Sequence, residues 1–223
     1  MEVVRHHPGR QSVICTIALM RHGGSHLIRP VVAALQEVAH ETTLDFVLEL
    51  LSIDGLKGPE IVEPGKFGAP PDEARGAVVV FLRDPRDRMV ATHRWWSGKP
   101  RKAISMAAWG DTVDAQIAWL LTEGEFLPEM LRWARVWCKW PDALTARFED
   151  MRVDGCAEVT RIASHLHMKK DTVRDAAIFG AIYGRARTYT GSHSDWRQTF
   201  GPLSNAAWAG NGGPELLELM GYE

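Results

Sequence analysis

The sequence has few of the features that mark specialised classes of protein. It contains only three cysteines, Cys15, Cys138 and Cys156, which lie far apart and form no C-x-x-C pair. An odd number of scattered cysteines argues against a disulfide framework and favours reduced thiols, as in the cytoplasm. No apolar run reaches the roughly 20 residues of a membrane span, and none has the position of a signal peptide. We therefore expect a cytoplasmic protein with no membrane partner.

The sequence also lacks an excess of charge of either sign. Lysine and arginine number 26 against 28 aspartates and glutamates, which gives a formal net charge of −2. No overall field therefore attracts nucleic acid, and we expect no nucleic-acid partner. Any anion-binding site must therefore be formed by a local group of basic residues or backbone N–H groups.

What the sequence does contain is an alternation of predicted strands and helices. Apolar runs at Val13 to Met20, Gly76 to Leu82 and Ala143 to Phe148 predict buried strands. Helices are predicted from about Ser25 and at Met89 to Trp96, Asp111 to Leu121, Leu127 to Trp137, Cys156 to Leu166 and Pro214 to Met220. Thr42 to Leu51 fits either a strand or a helix. The alternation predicts an α/β fold, a three-layer sandwich with a central parallel sheet, and the length suits a single domain over residues 1–223.

The first predicted strand is followed by a glycine pair and a helical pattern. Glycines allow close approach of the backbone, and free N–H groups in the first helical turn form a P-loop-like cradle for an anion. The G-x-x-x-x-G-K-[ST] pattern of P-loop ATPases is missing. Alternatively, Ser25 caps an ordinary strand–helix turn, and Pro30 makes the helix kink or begin later. The residues of the cradle are Arg21, His22, Gly23, Gly24, Ser25 and His26.

Charged residues follow the second predicted strand, in the segment Arg83 to Asp87. Ligands of open α/β sheets bind at the carboxyl ends of the strands, so Arg83 and the glycine turn belong to the same edge. The two strand ends together suit a ligand with two phosphates. Alternatively, Arg83 and Asp87 pair across a turn, and Asp84 or Asp87 caps the next helix.

Two later segments extend this pattern. Arg147 to Met151 is another strand end with acids, which either hold neighbouring site residues in place or are solvated loop charges, and we favour a structural role. Ser192 to Arg197 follows the basic residues Arg185 and Arg187. In an exposed loop, the ring of Trp196 could stack on a base and a guanidinium could bind a phosphate, although arginines on a surface are usually only solvated.

Taken in order, these segments resemble the motifs of the sulfotransferase family. Its members transfer a sulfuryl group from 3′-phosphoadenosine 5′-phosphosulfate (PAPS) to a hydroxyl or an amine, and release adenosine 3′,5′-bisphosphate (PAP). Arg21 to Leu27 resembles the family's Pro-Lys-Ser-Gly-Thr-Thr-Trp, and Arg83 to Asp87 resembles Arg-Asn/Asp-Pro-Arg-Asp. Phe148 to Met151 resembles Tyr-Glu-Asp-Leu, while Ser194 to Arg197 and Leu216 to Tyr222 resemble the closing blocks. The resemblance spans nearly the whole chain and implies a divergent sulfotransferase.

The resemblance implies that PAPS is bound by the cradle residues together with Arg83, Thr92, Arg187 and Trp196, without a metal ion. Several positions depart from the family pattern. His22 replaces the loop lysine, His26 replaces a threonine, and Ala91 replaces the serine that binds the 3′-phosphate, with Thr92 next to it. The Arg-Lys-Gly before the final block is Tyr189-Thr190-Gly191, so Arg185 or Arg187 would have to supply the missing cation.

The implied chemistry needs charge neutralisation and a base. A protonated His22 beside the anion would take over the role of the lysine. The Lys-x-His of many family members is at best Lys66-Phe67-Gly68, so its histidine is absent. Glu63 is the first candidate for the base, ahead of His93 and His40. The resemblance implies a small molecule or glycan as the acceptor. Some of the seven tryptophans between Trp95 and Trp140 are expected either to line an apolar pocket for it or only to pack the core.

Two other functions remain open on the sequence. The lost cations and the missing histidine also suit a catalytically impaired descendant that binds a nucleotide or a partner protein. A P-loop kinase is disfavoured, because no lysine follows the glycines and no apolar run ends in a clean Walker-B aspartate. A response to ATP with Mg²⁺ would restore the kinase hypothesis. The oligomeric state does not follow from the sequence.

Overall fold

The sheet of the protein is parallel and three-stranded in the part of the chain that the structure describes. The computed structural model describes residues 15–19, 25–38, 77–168, 170–189 and 196–223. Strands β1 (Cys15–Leu19), β2 (Ala77–Leu82) and β3 (Leu144–Arg147) lie in the order β1-β2-β3, with Leu19 opposite Phe81 and Leu82 opposite Arg147. All three predicted strands are confirmed, although β3 ends one residue early because Phe148 begins a helix. Their carboxyl ends therefore lie at one edge of the sheet.

Helices cover both faces of this sheet. The described ranges contain α1 (Ser25–Val38), α2 (Pro85–Ser97), α3 (Pro100–Ala107), α4 (Val113–Thr122), α5 (Phe126–Trp137), α6 (Phe148–Val153), α7 (Gly155–His165), α8 (Thr172–Tyr189), α9 (Pro202–Gly210) and α10 (Gly213–Met220), with a 3₁₀ turn at Trp196–Gln198. Within these ranges, no helix is long and apolar enough to cross a membrane.

The predicted helices all form, and four further helices were not predicted. Helix α1 begins at Ser25 and continues through Pro30, so the expectation of a later start is wrong. The helices α3, α6, α8 and α9 have no counterpart among the predicted ones. Helix α8 contains Gly180 and Gly184, and each glycine in a helix interior costs about 1 kcal/mol. Burial of Ile178 and Ile182 in the apolar cluster that this helix shares with α1 and α7 offsets this cost. Thr42 to Leu51 lies outside the described residues.

The side chains of β2 divide the core into two halves. Val79 and Phe81 pack with α1, α7 and α8 on one face. Val78, Val80 and Leu82 pack with α2, α4, α5 and the C-terminal helices on the other. Alternation of this kind is what a strand buried on both faces requires, and it gives the predicted three layers.

The start of α9 is capped by a carboxylate from another helix. Asp114 of α4 accepts the backbone N–H groups of Gly201 (2.9 Å), Leu203 (3.0 Å) and Ser204 (2.9 Å), and the Ser204 hydroxyl also donates to it. A Cβ atom on Gly201 would meet this carboxylate. Partial burial alone raises the pKa of Asp114, but the hydrogen bonds from Ser204, Leu203 and Gly201 outweigh it and lower that pKa below its ordinary value.

We expect Asp114→Ala to lower the stability of the protein by about 1 kcal/mol at pH 7, or roughly 2–4 °C in Tm. Because the folded-state pKa is lowered, the cap stabilises the fold above the ordinary aspartate pKa and loses this effect as pH falls through the folded-state value. Thermal melts between pH 3 and 7 should therefore converge for wild type and variant at acidic pH. A constant difference across this range would contradict the assignment.

Candidate functional site

Arg83 lies immediately after β2, at the carboxyl edge of the sheet. Its side chain is buried, with 8% of the residue exposed, and its guanidinium carbon lies 4.7 Å from the centroid of the Phe148 ring. Burial lowers the pKa of Arg83, while the carboxylates of Asp87 and Glu149 oppose this shift. Strand β1 ends at this same edge with Leu19, and helix α1 begins six residues later, at Ser25. The edge thus combines a buried cation with the start of a helix.

Asp84 caps the helix that follows Arg83. Its side chain accepts the backbone N–H of Arg86 at 2.9 Å. The guanidinium of Arg86 also binds Asp84 through both carboxylate oxygens, at 3.0 and 2.8 Å. The alternative hypothesis, that an aspartate of this segment serves as a cap, is therefore confirmed for Asp84. This cap fixes the turn in which Arg83 lies.

The segment around Trp196 packs directly on this turn. Asp87 accepts the backbone N–H of Trp196 at 2.8 Å. The guanidinium carbons of Arg86 and Arg197 lie 4.2 and 4.8 Å from the centroid of the Trp196 ring. Trp196 is half-buried in the 3₁₀ turn rather than in the exposed loop that the sequence predicts. Its indole N–H is buried and has no acceptor among the described residues.

Glu149 joins the ends of β2 and β3 to the C-terminal segment. One carboxylate oxygen accepts the backbone N–H of Asp84 at 2.9 Å, and the other accepts the Tyr222 hydroxyl at 2.8 Å. The structural role predicted for the acids of Arg147 to Met151 is confirmed for Glu149. Tyr222 was not predicted as part of the site, because only the Gly-Tyr ending pointed to it and nothing in the sequence indicated its partner.

Helix α2 buries two further polar side chains, Arg88 and Thr92. Arg88 is 1% exposed, and burial lowers its pKa to about 10, with Glu129 opposing the shift and Arg83 adding to it. Thr92 lies one turn later on the same helix face. It is fully buried, and its hydroxyl has no hydrogen-bond partner among the described residues.

His93, also on α2, is held by Gln116 of α4. The Nε2 atom of His93 lies 2.8 Å from Oε1 of Gln116, and the Gln116 amide nitrogen donates to the backbone carbonyl of Gly110 at 2.9 Å. A carbonyl oxygen can only accept, so the orientation of the Gln116 amide is fixed. The residue Gln116 was missed by sequence reasoning, because it lies 23 positions away from His93.

The other predicted site residues fall into two groups. Ser25 and His26 are the first two residues of α1, and Arg187 lies in the last turn of α8. The predicted residues outside the described part of the chain are Arg21, His22, Gly23, Gly24, His40 and Glu63. Of the candidates with described side chains, Arg83 and Trp196 are brought together around Asp87, while Thr92 and His93 follow on α2.

The tryptophans predicted as core or pocket residues differ in burial, and a pocket lined by some of them stays a prediction. Trp133 and Trp137 are buried in the core. Trp109 stacks on Trp119 with ring centroids 4.1 Å apart, and the ring centroids of Trp96 and Trp109 lie 5.5 Å apart.

Among the described residues, no group of three or more His, Cys, Asp or Glu side chains is arranged to hold a metal ion.

Comparison with known proteins identifies the fold. No protein-family model matches the sequence, and a sequence search of curated proteins finds no match. The structure is similar to the crystal structure of the mouse sulfotransferase SULT7A1 complexed with PAP, with a TM-score of 0.62 and 13% sequence identity. The similarity covers 96% of this chain and 90% of the mouse chain. This chain therefore has the α/β fold of a sulfotransferase.

Proposed function

We propose that this protein is a sulfotransferase that moves a sulfuryl group from PAPS to a hydroxyl or amine of a small-molecule or glycan acceptor. The observation that carries the proposal is Arg83, a buried guanidinium at the carboxyl end of the middle strand. It occurs in a fold similar to that of a PAP-complexed sulfotransferase. A buried cation at this edge is suited to an anionic nucleotide.

The described residues fit a ligand rich in phosphate oxygens. The buried hydroxyl of Thr92 and the buried indole N–H of Trp196 have no acceptor among the described residues. A buried polar group left unsatisfied costs about 1–3 kcal/mol, and an anionic ligand would relieve that cost. Arg83, Thr92 and Trp196 would then hold the phosphates of PAPS, with Ser25 and His26 at the start of α1.

The chemistry is mainly a matter of positioning and charge. PAPS, when bound, supplies the sulfuryl group, and PAP leaves after transfer. The residues of the chain hold the donor in line with the acceptor and compensate the negative charge on the leaving oxygen. His22 is proposed for that compensation. A base, Glu63 or His93, takes the proton from the attacking hydroxyl or amine.

The contacts of His93 support this residue as the base. Because the Gln116 amide oxygen faces Nε2 of His93, Nε2 must carry a proton. In a neutral imidazole the lone pair is then on Nδ1, which can accept a proton from an acceptor hydroxyl. Gln116 thus fixes the tautomer that a base requires.

We expect Gln116→Leu to lower kcat by about ten- to a hundredfold without an equal rise in KM, because general-base catalysis contributes about 10²–10⁴ and a wrong tautomer loses part of it. The variant Gln116→Glu keeps an acceptor for Nε2–H and should retain most activity. Steady-state kinetics and the ¹⁵N NMR signals of His93 test this. Equal activity of Gln116→Leu and wild type would remove His93 from the role of base.

The proposed function is tested by ligand binding before activity. In thermal-shift titrations, PAP at about 100-fold over its Kd should raise Tm by roughly 5–10 °C. ADP and ATP serve as controls. A shift with ATP and Mg²⁺ but none with PAP would refute the proposal and favour a kinase. Binding of PAP without transfer of labelled sulfate to any acceptor in a library would favour a catalytically impaired descendant.

A further inference from the structure

The C-terminal segment is attached to the turn that carries Arg83. The hydroxyl of Tyr222 donates to one oxygen of Glu149, whose other oxygen accepts the backbone N–H of Asp84, the residue after Arg83. The Arg83 guanidinium stacks on Phe148, the neighbour of Glu149. Three separate parts of the chain therefore meet at Arg83.

Tyr222 is itself held in place from both sides. Arg147, at the end of β3, donates to the carbonyl of Gly221 at 2.7 Å and lies 4.9 Å from the centroid of the Tyr222 ring. Arg86 donates to the carbonyl of Glu223 at 2.6 Å. Gly221 adopts a φ of +68°, a conformation that favours glycine and turns the chain towards β3 at the end of α10.

We propose that Tyr222 is a positioning residue for donor binding, which acts through Glu149 on the turn of Arg83. This inference rests on the proposed function. Both oxygens of Glu149 are engaged by donors, one from the side chain of Tyr222 and one from the backbone of Asp84. The carboxylate is thereby fixed beside Arg83, where it attracts the guanidinium without being free to turn towards it.

The hydroxyl of Tyr222 is suited to this role at every working pH. Burial raises the pKa of Tyr222, and the nearby carboxylate of Glu149 raises it further, so the phenol stays protonated. A hydrogen bond to a carboxylate is stronger than one between neutral groups. Without this donor, Glu149 loses one of its two anchors and can rotate towards Arg83, which competes with an anionic ligand for the same cation.

The substitution Tyr222→Phe isolates the hydroxyl, because the ring under Arg147 is kept. We expect the Kd for PAP to rise about tenfold, because the released carboxylate of Glu149 then competes with PAP for the Arg83 guanidinium. Amide hydrogen exchange at Asp84 should become faster. The matched control is Tyr183→Phe on α8, whose ring stacks on Phe179. This control should change neither quantity.

Calorimetry with PAP and exchange monitored by NMR distinguish the outcomes. Unchanged PAP affinity in Tyr222→Phe, or an equal loss in Tyr183→Phe, would overturn the proposal. Should Tyr222→Phe fold poorly, Glu149→Gln tests the same contacts, because an amide can accept only one of the two hydrogen bonds. Failure of the wild type to bind PAP would refute the proposed function and, with it, the role in donor binding. Exchange at Asp84 would still decide whether Tyr222 holds the turn.

Discussion

The substitution Arg83→Met should weaken PAP binding at least about a hundredfold while leaving Tm within a few degrees of the wild type. Removing a charge that binds an anionic group in a desolvated site costs about 2–5 kcal/mol. Stability should change little, because burial already disfavours the charged form of Arg83 in the folded protein. The carboxylate of Glu149 keeps its contacts with Asp84 and Tyr222.

The control for this experiment is Arg135→Met. Arg135 is exposed and pairs with Glu215 at 2.7 Å on the surface, an interaction worth less than about 1 kcal/mol. This variant should bind PAP like the wild type. Calorimetry measures the affinity, and thermal melts without ligand measure the stability. Undiminished PAP binding in Arg83→Met would show that the anion site lies elsewhere.

The substitution Gly155→Ala should destabilise the protein by about 2 kcal/mol, or roughly 4–8 °C in Tm. Gly155 begins α7 and lies against the ring of Phe179 on α8, so closely that a Cβ atom would overlap the ring carbons. Either the ring leaves its place in the core or the two helices separate. The double substitution Gly155→Ala with Phe179→Leu should recover part of the loss, because the smaller side chain leaves room for the methyl group.

The neighbouring Gly180→Ala is the matched control. Gly180 follows Phe179 on α8, and a Cβ atom there meets nothing within 4 Å. The same chemical change should therefore stabilise the protein, by about 0.5–1 kcal/mol, through reduced entropy of the unfolded chain. Denaturant unfolding of both variants measures the difference. A stabilising effect of Gly155→Ala would contradict the close packing of α7 on α8.

The strands and the position of Arg83 could be predicted because their signals are local. Ala77–Leu82 is apolar, β-branched and uncharged, so both the strand and the charged residue after it are evident in the sequence. Helix α8 could not be predicted, since its two glycines disfavour a helix and the burial of Ile178 and Ile182 that offsets them is a tertiary effect.

The contacts between the site residues and their partners could not be predicted from the sequence, for a different reason. Tyr222 and Glu149 are 73 positions apart, and Trp196 and Asp87 are 109 apart. A pattern of residue types indicates that such groups are polar and lie near strand ends, but it does not give the distance between them in the folded protein. The resemblance to a family gave the order of the motifs, and the structure added Gln116 and the contacts of Glu149 and Tyr222 as their supports.

The capping of α9 by Asp114 bears on how the protein is made. The carboxylate is synthesised 87 residues before Gly201, the first backbone group that it caps. Phe200, Trp208 and Leu216 belong to the same apolar cluster as the inner faces of α4 and α5. On the ribosome, that surface stays open to water until α9 and α10 emerge. Nascent chains that stop before residue 200 should therefore recruit chaperones or aggregate.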